Sequence, residues 1–214
     1  YYLDTTASSV YASTTPLKPM IQLSVPERPA WSASTQSVTV VPDFTYRVNV
    51  SSNAGQTLMA GVTSQMFALA IEDRFGNPTP VAAGQEDAEG AGVRFNLDSD
   101  SLGTVMFSAP DVSSFTVKPG TAKLVLGQAS TSFYMIDTLV SAPTHQLTIN
   151  TNLAKGWLPA VSPYTVIPAS PDHVLFYTLS RRLVAGTTLQ YSNYALGTTT
   201  DTVVSVVLKD RFEN

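Results

Sequence analysis

The 214-residue chain has no cysteine, which excludes disulfides and thiol chemistry. Its compartment stays open on that count, because many extracellular repeat proteins use no disulfide. Charge is scarce as well: Asp, Glu, Lys and Arg make up 13% of the residues, about half of the ~25% usual in soluble domains. Long surface helices laced with Glu and Lys are therefore not expected. The formal charge is −4, and the twelve Lys and Arg are scattered apart from Arg181-Arg182, which argues against a phosphate-binding surface and hence against nucleic acid. No apolar run approaches the ~20 residues that span a bilayer. The chain opens YYLDTT, with neither Met nor the basic-then-apolar start of a signal peptide, as expected of a mature product or an excised piece. Ser, Thr, Val, Gly and Pro fill the space left by charge, and apolar residues reach 43%. That mixture suits short β-branched strands joined by turns.

What is there is a repeat. MFALAIEDRFGNP, Met66 to Pro78, returns as VVSVVLKDRFEN, Val203 to Asn214, at an offset of 137 (210 − 73). Asp73, Arg74, Phe75 and Asn77 match Asp210, Arg211, Phe212 and Asn214. Phe67, Leu69 and Ile71 match Val204, Val206 and Leu208 with period two, the mark of a strand with one face on a core. Upstream, Pro42 matches Pro168 (offset 126) and Ala60-Gly61 matches Ala185-Gly186 (offset 125). About twelve residues are thus inserted in the second copy, and Tyr191 to Thr202 is the candidate loop. YYLDTT resembles FYMIDT, Phe133 to Thr138, and each is followed by a Pro-punctuated stretch, a Trp (Trp31, Trp157) and a TVVP or TVIP strand.

Strands are expected at Phe44 to Val50, Gln65 to Asp73, Gly92 to Leu97, Gly103 to Ser108, Ser113 to Val117, Ala122 to Leu126, Thr131 to Ile136, Gln146 to Asn150 and Tyr164 to Ile167. Short strands with turn signals every ~8–12 residues are the pattern of an immunoglobulin-type β-sandwich. The chain therefore reads as all-β, in tandem Ig-like antiparallel β-sandwiches. Residues 1–42 are the C-terminal part of one repeat, 43–168 a complete repeat, and 169–214 the N-terminal part of another. Val81 to Ala91 is expected to be a polar loop. Pro42, Asp43, Pro168, Pro171 and Asp172 fall in two linkers, Thr39 to Phe44 and Thr165 to Asp172, whose prolines limit the freedom between neighbours.

Asp73 and Asp210 close strands, where a short carboxylate accepts backbone N–H groups of the following turn; Gly76, Asn77, Pro78 and Asn214 belong to the same turns. The rival reading is Ca²⁺ ligation, with Glu72, Asp73 and Asn77, the loop acids Glu86, Asp87 and Glu89, or Asp98 and Asp100 as oxygen donors. None has EF-hand spacing, so solvated acids are the default and no other cofactor is expected. Glu213 stands where the first copy has Gly76, so Asn77 or Asn214 is the expected left-handed residue. Ser170, Asp172 and His173 lie close in sequence, but a triad is assembled across a fold and needs an oxyanion site; no catalytic residue is assigned. Asn49 heads the sequon Asn49-Val50-Ser51, a candidate for glycosylation. The aromatic pairs Tyr1-Tyr2, Phe133-Tyr134 and Phe176-Tyr177 point to opposite faces, with one of each pair in a core.

The succession SPDHVLFYT, then AG-T, then a strand ending DRFGNP, then SFYMIDT, resembles the tandem bacterial Ig-like domains of large surface proteins, similar to invasin and intimin stalk modules. In that family a strand ends Asp-x-x-Gly-Asn-Pro, matched by Asp73, Gly76, Asn77 and Pro78. The resemblance implies a non-catalytic module of a surface stalk, adhesin, surface layer or filament, extracellular or at the cell surface. Its partners would be neighbouring repeats, further copies or a surface partner. A glycan- or protein-binding adhesin module, and a viral tail or capsid decoration domain, are the alternatives.

Overall fold

In the computed structural model, residues 3–6, 20–24, 26–28, 31–87, 92–151, 155–176, 192–193, 198–199 and 206–214 are described. Every regular element among them is a strand, and no helix is long and apolar enough to cross a membrane. In chain order the strands are β1 (Met20–Leu23), β2 (Ser34–Ser37), β3 (Arg47–Ser52), β4 (Thr57–Met59), β5 (Phe67–Glu72), β6 (Val93–Ser99), β7 (Val105–Ser108), β8 (Thr116–Val117), β9 (Gly120–Leu124), β10 (Ser130–Asp137), β11 (His145–Thr151), β12 (Ala160–Ile167), β13 (His173–Phe176), β14 (Ser192–Asn193), β15 (Thr198–Thr199) and β16 (Val206–Lys209).

Residues 47–167 form a central unit of two five-stranded sheets, ordered β3-β5-β10-β7-β8 and β4-β12-β11-β6-β9. Alternation sets the core. Phe67, Leu69 and Ile71 of β5 face Phe95 and Leu97 of β6, Phe107 of β7, Phe133 and Met135 of β10, and Leu147 and Ile149 of β11, all within one buried cluster. Phe67 and Phe133 stack with ring centroids 4.9 Å apart. All strand ladders within the unit are antiparallel except β4 with β12, where Thr57, Leu58 and Met59 run beside Thr165, Val166 and Ile167; the single bridge of Arg47 with Leu158 is parallel as well. β3 also touches the second sheet, through Val48 N–H to Leu158 O (2.9 Å) and Leu158 N–H to Tyr46 O (3.0 Å), so the two sheets close along one side.

The nine expected strands are present, shifted by a few residues. One more, β4, escaped the sequence reading because only Leu58 of its three residues points inward. The linker expected over Thr165 to Asp172 shortens to 168–172, since Thr165 to Ile167 are held as strand by β4. Within Val81 to Ala91, residues 81–87 carry no regular element, and 88–91, with Glu89, lie outside the described residues. The inserted segment is not purely a loop: Ser192 pairs with Thr199 and Asn193 with Thr198.

On either side of the central unit the same ladders recur. β3 pairs with β5 as Arg47↔Glu72, Val48↔Ile71, Asn49↔Ala70 and Val50↔Leu69. β13 pairs with β16 as His173↔Lys209, Val174↔Leu208, Leu175↔Val207 and Phe176↔Val206, the same register shifted by 126 and 137. β1 pairs with β2 as Met20↔Ser37 to Leu23↔Ser34, which is the β11–β12 register of Gln146↔Pro163 to Ile149↔Ala160 shifted by 126 on both strands. The flanking ladders leave apolar faces open: Leu23, Val174, Phe176 and Leu208 are exposed, whereas their counterparts Ile149, Val48, Val50 and Ile71 are buried. Trp157 packs on the core and its counterpart Trp31 stands open beneath the Arg28 guanidinium.

Candidate functional site

The residues that recur converge on one kind of site, made twice. At the end of β5 the chain turns through Asp73 to Asn77. Both oxygens of the Asp73 carboxylate are used: Oδ1 accepts from the backbone N–H groups of Phe75 and Asn77, each at 2.9 Å, and Oδ2 accepts from Asn77 Nδ2 at 2.9 Å. Oδ2 also accepts from Asp43 N–H at 3.0 Å, reaching back across the linker. Asn77 Nδ2 in turn donates to the Thr5 carbonyl at 2.8 Å. Two side chains thus tie the joint: Asp73 holds the turn and the linker, and Asn77 carries the tie on to Thr5 of the preceding segment.

The second copy repeats this atom for atom. Asp210 Oδ1 accepts from Phe212 N–H (2.9 Å) and Asn214 N–H (3.1 Å), and its Oδ2 accepts from Asn214 Nδ2 (3.0 Å) and from Ala169 N–H (2.9 Å), the linker residue equivalent to Asp43. Asn214 Nδ2 donates to the Thr138 carbonyl at 2.9 Å, and Thr138 is Thr5 shifted by 133. Asn214 Oδ1 also accepts from Val140 N–H at 3.0 Å. Both carboxylates are buried. Burial alone would raise their pKa values, but the hydrogen bonds outweigh it and hold Asp73 below its ordinary value, and Asp210 at about 2.

The sign of the pH dependence follows. A carboxyl depressed in the folded state contributes stability that is complete above its unfolded value of 3.8 and is lost as pH falls through its folded value. Amide exchange at Phe212 and Asn214, corrected for intrinsic rates, is expected to lose protection between 3.8 and about 2 while amides of β6 keep theirs. Equal loss in both places would remove the clamp as the cause.

The backbone of the turn corrects one expectation. Neither Asn77 nor Asn214 takes the left-handed conformation; the residue before each does, Gly76 with φ 85° and Glu213 with φ 69°. The reason is the closure of the turn, in which Gly76 N–H bonds Asp73 O (3.1 Å) and Glu213 N–H bonds Asp210 O (3.0 Å). A side chain in that conformation costs roughly 1–2 kcal/mol. A Cβ on Gly76 would meet only Arg47 at an ordinary 3.5 Å, so Gly76→Ala is expected to cost about 1 kcal/mol from the backbone alone. Glu213→Gly should stabilise by a similar amount, less the small contribution of the exposed His173–Glu213 pair at 3.1 Å; denaturant unfolding reads both.

The far end of the central unit receives the second clamp on a rigid bed. Phe133 lies opposite Phe67, so Asp137 at the end of β10 sits at the other end of the sheet from Asp73. Asp137 is fully buried. It accepts from Ser101 Oγ (3.1 Å), Leu139 N–H (3.0 Å) and Tyr164 OH (2.8 Å). Burial pushes the Tyr164 hydroxyl well above its usual range, with Asp137 adding to it, so the phenol remains a donor. Ser99 Oγ shares a 2.6 Å hydrogen bond with that phenol, and the Lys118 ammonium caps the Ser99 and Ser101 carbonyls. The Asp137 carbonyl accepts from Gly61 N–H at 2.8 Å, which fixes the Ala60-Gly61 turn beside the clamp. The sequence pointed to Asp73, Asn77, Asp210 and Asn214 as turn formers. It did not reveal their reach across the linker or the Asp137 bed, although the matching Asp-Thr of YYLDTT and FYMIDT was the available signal.

The remaining candidates are dispersed. Glu72 pairs with Arg47 (2.7 Å) and accepts from Asn49 Nδ2 (2.7 Å), the atom a glycan would occupy. Asp98 caps Ser99 N–H, and Asp100 accepts from Gln146 N–H, both at the Asp137 end and away from Glu72, Asp73 and Asn77. Among the described residues no three His, Asp or Glu side chains gather as metal ligands would. Gly76 and Pro78 stay in the turn, Pro78 bridging back to Glu72. Pro168, Pro171 and Asp172 lie in the shortened linker, with Pro42 and Asp43 in the first. His145 reaches the Leu139 carbonyl (3.1 Å), and His173 faces carboxylates on both nitrogens, Asp172 and Glu213, each at 3.1 Å. Of the aromatic pairs, Phe133 is core and Tyr134 half-buried; Tyr1, Tyr2 and Tyr177 lie outside the described residues.

No family model matches this chain, and no curated protein does. Among solved structures it is similar to a β-glycosidase from Bacteroides vulgatus, with a TM-score of 0.40 and 12% identity over 62% of this chain. The chain spans 15% of that protein's length, and a likeness of this size says nothing about activity.

Proposed function

We propose that this chain is a non-catalytic structural module of an extracellular surface protein, made of Ig-like repeats that lock end to end. The observation that carries the reading is the Asp–Asn clamp, formed twice with the same atoms, each time joining a turn to the linker before it and to an Asp-Thr backbone carbonyl of the preceding segment, Thr5 or Thr138. A linker tied at both ends holds its neighbours at a fixed angle, which is what a spacer or stalk needs. The Ig-like part is supported by strand order. β3-β5-β10-β7 follows the A-B-E-D arrangement, β12-β11-β6 follows G-F-C, and β4 carries the first strand across to run parallel with the last. One departure is that the chain visits β7 before β9, crossing between the sheets on the way. Repeat boundaries at 1–42, 43–168 and 169–214 belong to this reading and are supported by the recurring registers, and the extracellular setting rests on the resemblance of the DRFGNP strand end to surface stalk repeats.

Size-exclusion chromatography with light scattering, joined to small-angle X-ray scattering, tests this on the 214-residue chain with Ca²⁺ and with a chelator. A monomer of fixed shape in both conditions is expected, and Asn214→Ala should increase its flexibility. Unfolding on chelation, or a shape indifferent to Asn214→Ala, would sink the spacer reading.

A further inference from the structure

We propose that the exposed Arg74–Phe75 tip is a plug for another repeat of this kind joined ahead of residue 1, and that its seat is that repeat's Ala-Gly turn. The inference rests on the end-to-end reading above and identifies a contact surface that it leaves open. Its ground is the difference between two otherwise identical clamps. At the second clamp, Phe212 packs against the central core and fills the space over Gly61. A Cβ on Gly61 would lie 2.1 Å from the Phe212 ring and 2.9 Å from Arg211, and Gly61 has φ 70°. The glycine is therefore needed twice, for its conformation and for the room it leaves. Arg211 lies over the Phe212 ring at 4.6 Å.

At the first clamp the same plug has no seat among the described residues. Arg74 lies over the Phe75 ring at 4.7 Å, and Phe75 is 49% exposed. Beside it is an open cleft lined by Asp4, Thr5, Pro42, Arg74, Phe75 and Asn77 among others; Asp4 is the counterpart of Asp137, whose carbonyl holds Gly61 at the second clamp. A half-exposed aromatic ring under a guanidinium and next to a cleft suits a partner with no side chain in the way. One ring on one turn covers far less than the roughly 1,000 Å² of a lasting contact between separate molecules. It works where the two repeats are consecutive in one chain, because tethering supplies an effective concentration in the millimolar range. A second copy in trans is therefore the disfavoured occupant.

The test compares hydroxyl-radical oxidation of Phe75 and Phe212 in three chains: the 214-residue protein, the same protein with residues 43–133 joined ahead of Tyr1, and two copies of residues 43–168 in tandem. The second chain completes the preceding repeat. The third supplies a seat whose own strands are all native, in case the hybrid repeat does not fold. In the 214-residue protein Phe75 should be oxidised severalfold faster than Phe212. In the extended chain Phe75 should fall to the Phe212 rate, in the tandem chain the Phe75 of the second copy should do so, and Gly61→Val in the leading copy should restore its reactivity. If Phe75 stays reactive while Phe212 is protected, the plug has no such seat and the proposal fails, with the end-to-end reading intact. If Phe212 is as reactive as Phe75 from the outset, the end-to-end reading itself fails. Protection of Phe75 in the unextended protein together with dimers by light scattering would make a second copy the occupant and overturn the assignment to a consecutive repeat.

Discussion

Phe133→Ala is expected to cost the central unit about 3–5 kcal/mol, a large share of the 5–15 kcal/mol that holds a typical domain together. The ring is fully buried, stacks on Phe67 at 4.9 Å and meets Phe107 at 6.5 Å, so its removal opens a cavity between β5, β7 and β10 that none of the three can fill. The strands around it are tied by ladders on both sides, and partial collapse would have to bend β10, which pairs with β5 through Phe133 and with β7 from Tyr134 onward. Denaturant unfolding followed by circular dichroism measures the loss. A change below about 1 kcal/mol would mean that β5 and β10 do not share a core. Leu69→Ala and Ile71→Ala, on the same buried stripe, should fall at roughly 2–5 kcal/mol.

The second large effect is expected at Asp73. Asp73→Ala removes the acceptor for three backbone N–H groups and for the Asn77 amide. Hydrogen bonds to a charged acceptor contribute about 1.5–3 kcal/mol each when the donor is left without water. The turn at the sheet's end can admit water to some of these donors, so the net loss should be about 3 kcal/mol rather than their sum. What distinguishes this loss from that of Phe133 is its location. Exchange should accelerate at the amides of Asp43, Phe75 and Asn77 while the amides of β6 and β11 remain protected, and Asp73→Asn should recover part of it, since an amide oxygen still accepts on one side. Uniform acceleration across the unit would mean that Asp73 supports the core and not the joint.

Much of this was written in period and recurrence. The alternation of Phe67, Leu69 and Ile71 identified β5 and its buried face, and the offsets reappear as ladder registers, 126 on the N-terminal side of the central unit and 126 with 137 on the C-terminal side. What pattern could not supply was contact between distant positions. Asp73 and Asp210 looked like caps of their own turns, because the bonds to Phe75 and Phe212 are local; those to Asp43 and Ala169 join residues 30 and 41 apart. Gly61 resembled any turn glycine, and only the Phe212 ring above it explains why no side chain is there. Ser99, Ser101, Asp137 and Tyr164 carry no spacing signal, since their convergence depends on three strands and a loop meeting at one corner. Glu213 misled by composition: the turn imposes the left-handed backbone, and the residue tolerates it.

The parallel pairing of β4 with β12 has a mechanical consequence. If tension is carried along the polypeptide, it enters this unit near β3 and β4 and leaves at the end of β12. Because β4 and β12 run in the same direction, the two ends pull them past each other lengthwise. The bonds between Thr57–Met59 and Thr165–Ile167, with the Ala60 N–H to Ile167 O bond at 2.9 Å just beyond them, are then strained together and not one after another. A hairpin opened from its end would tear like a zipper at low force. This edge resists like a lap joint, whose strength grows with the number of bonds that must break at once.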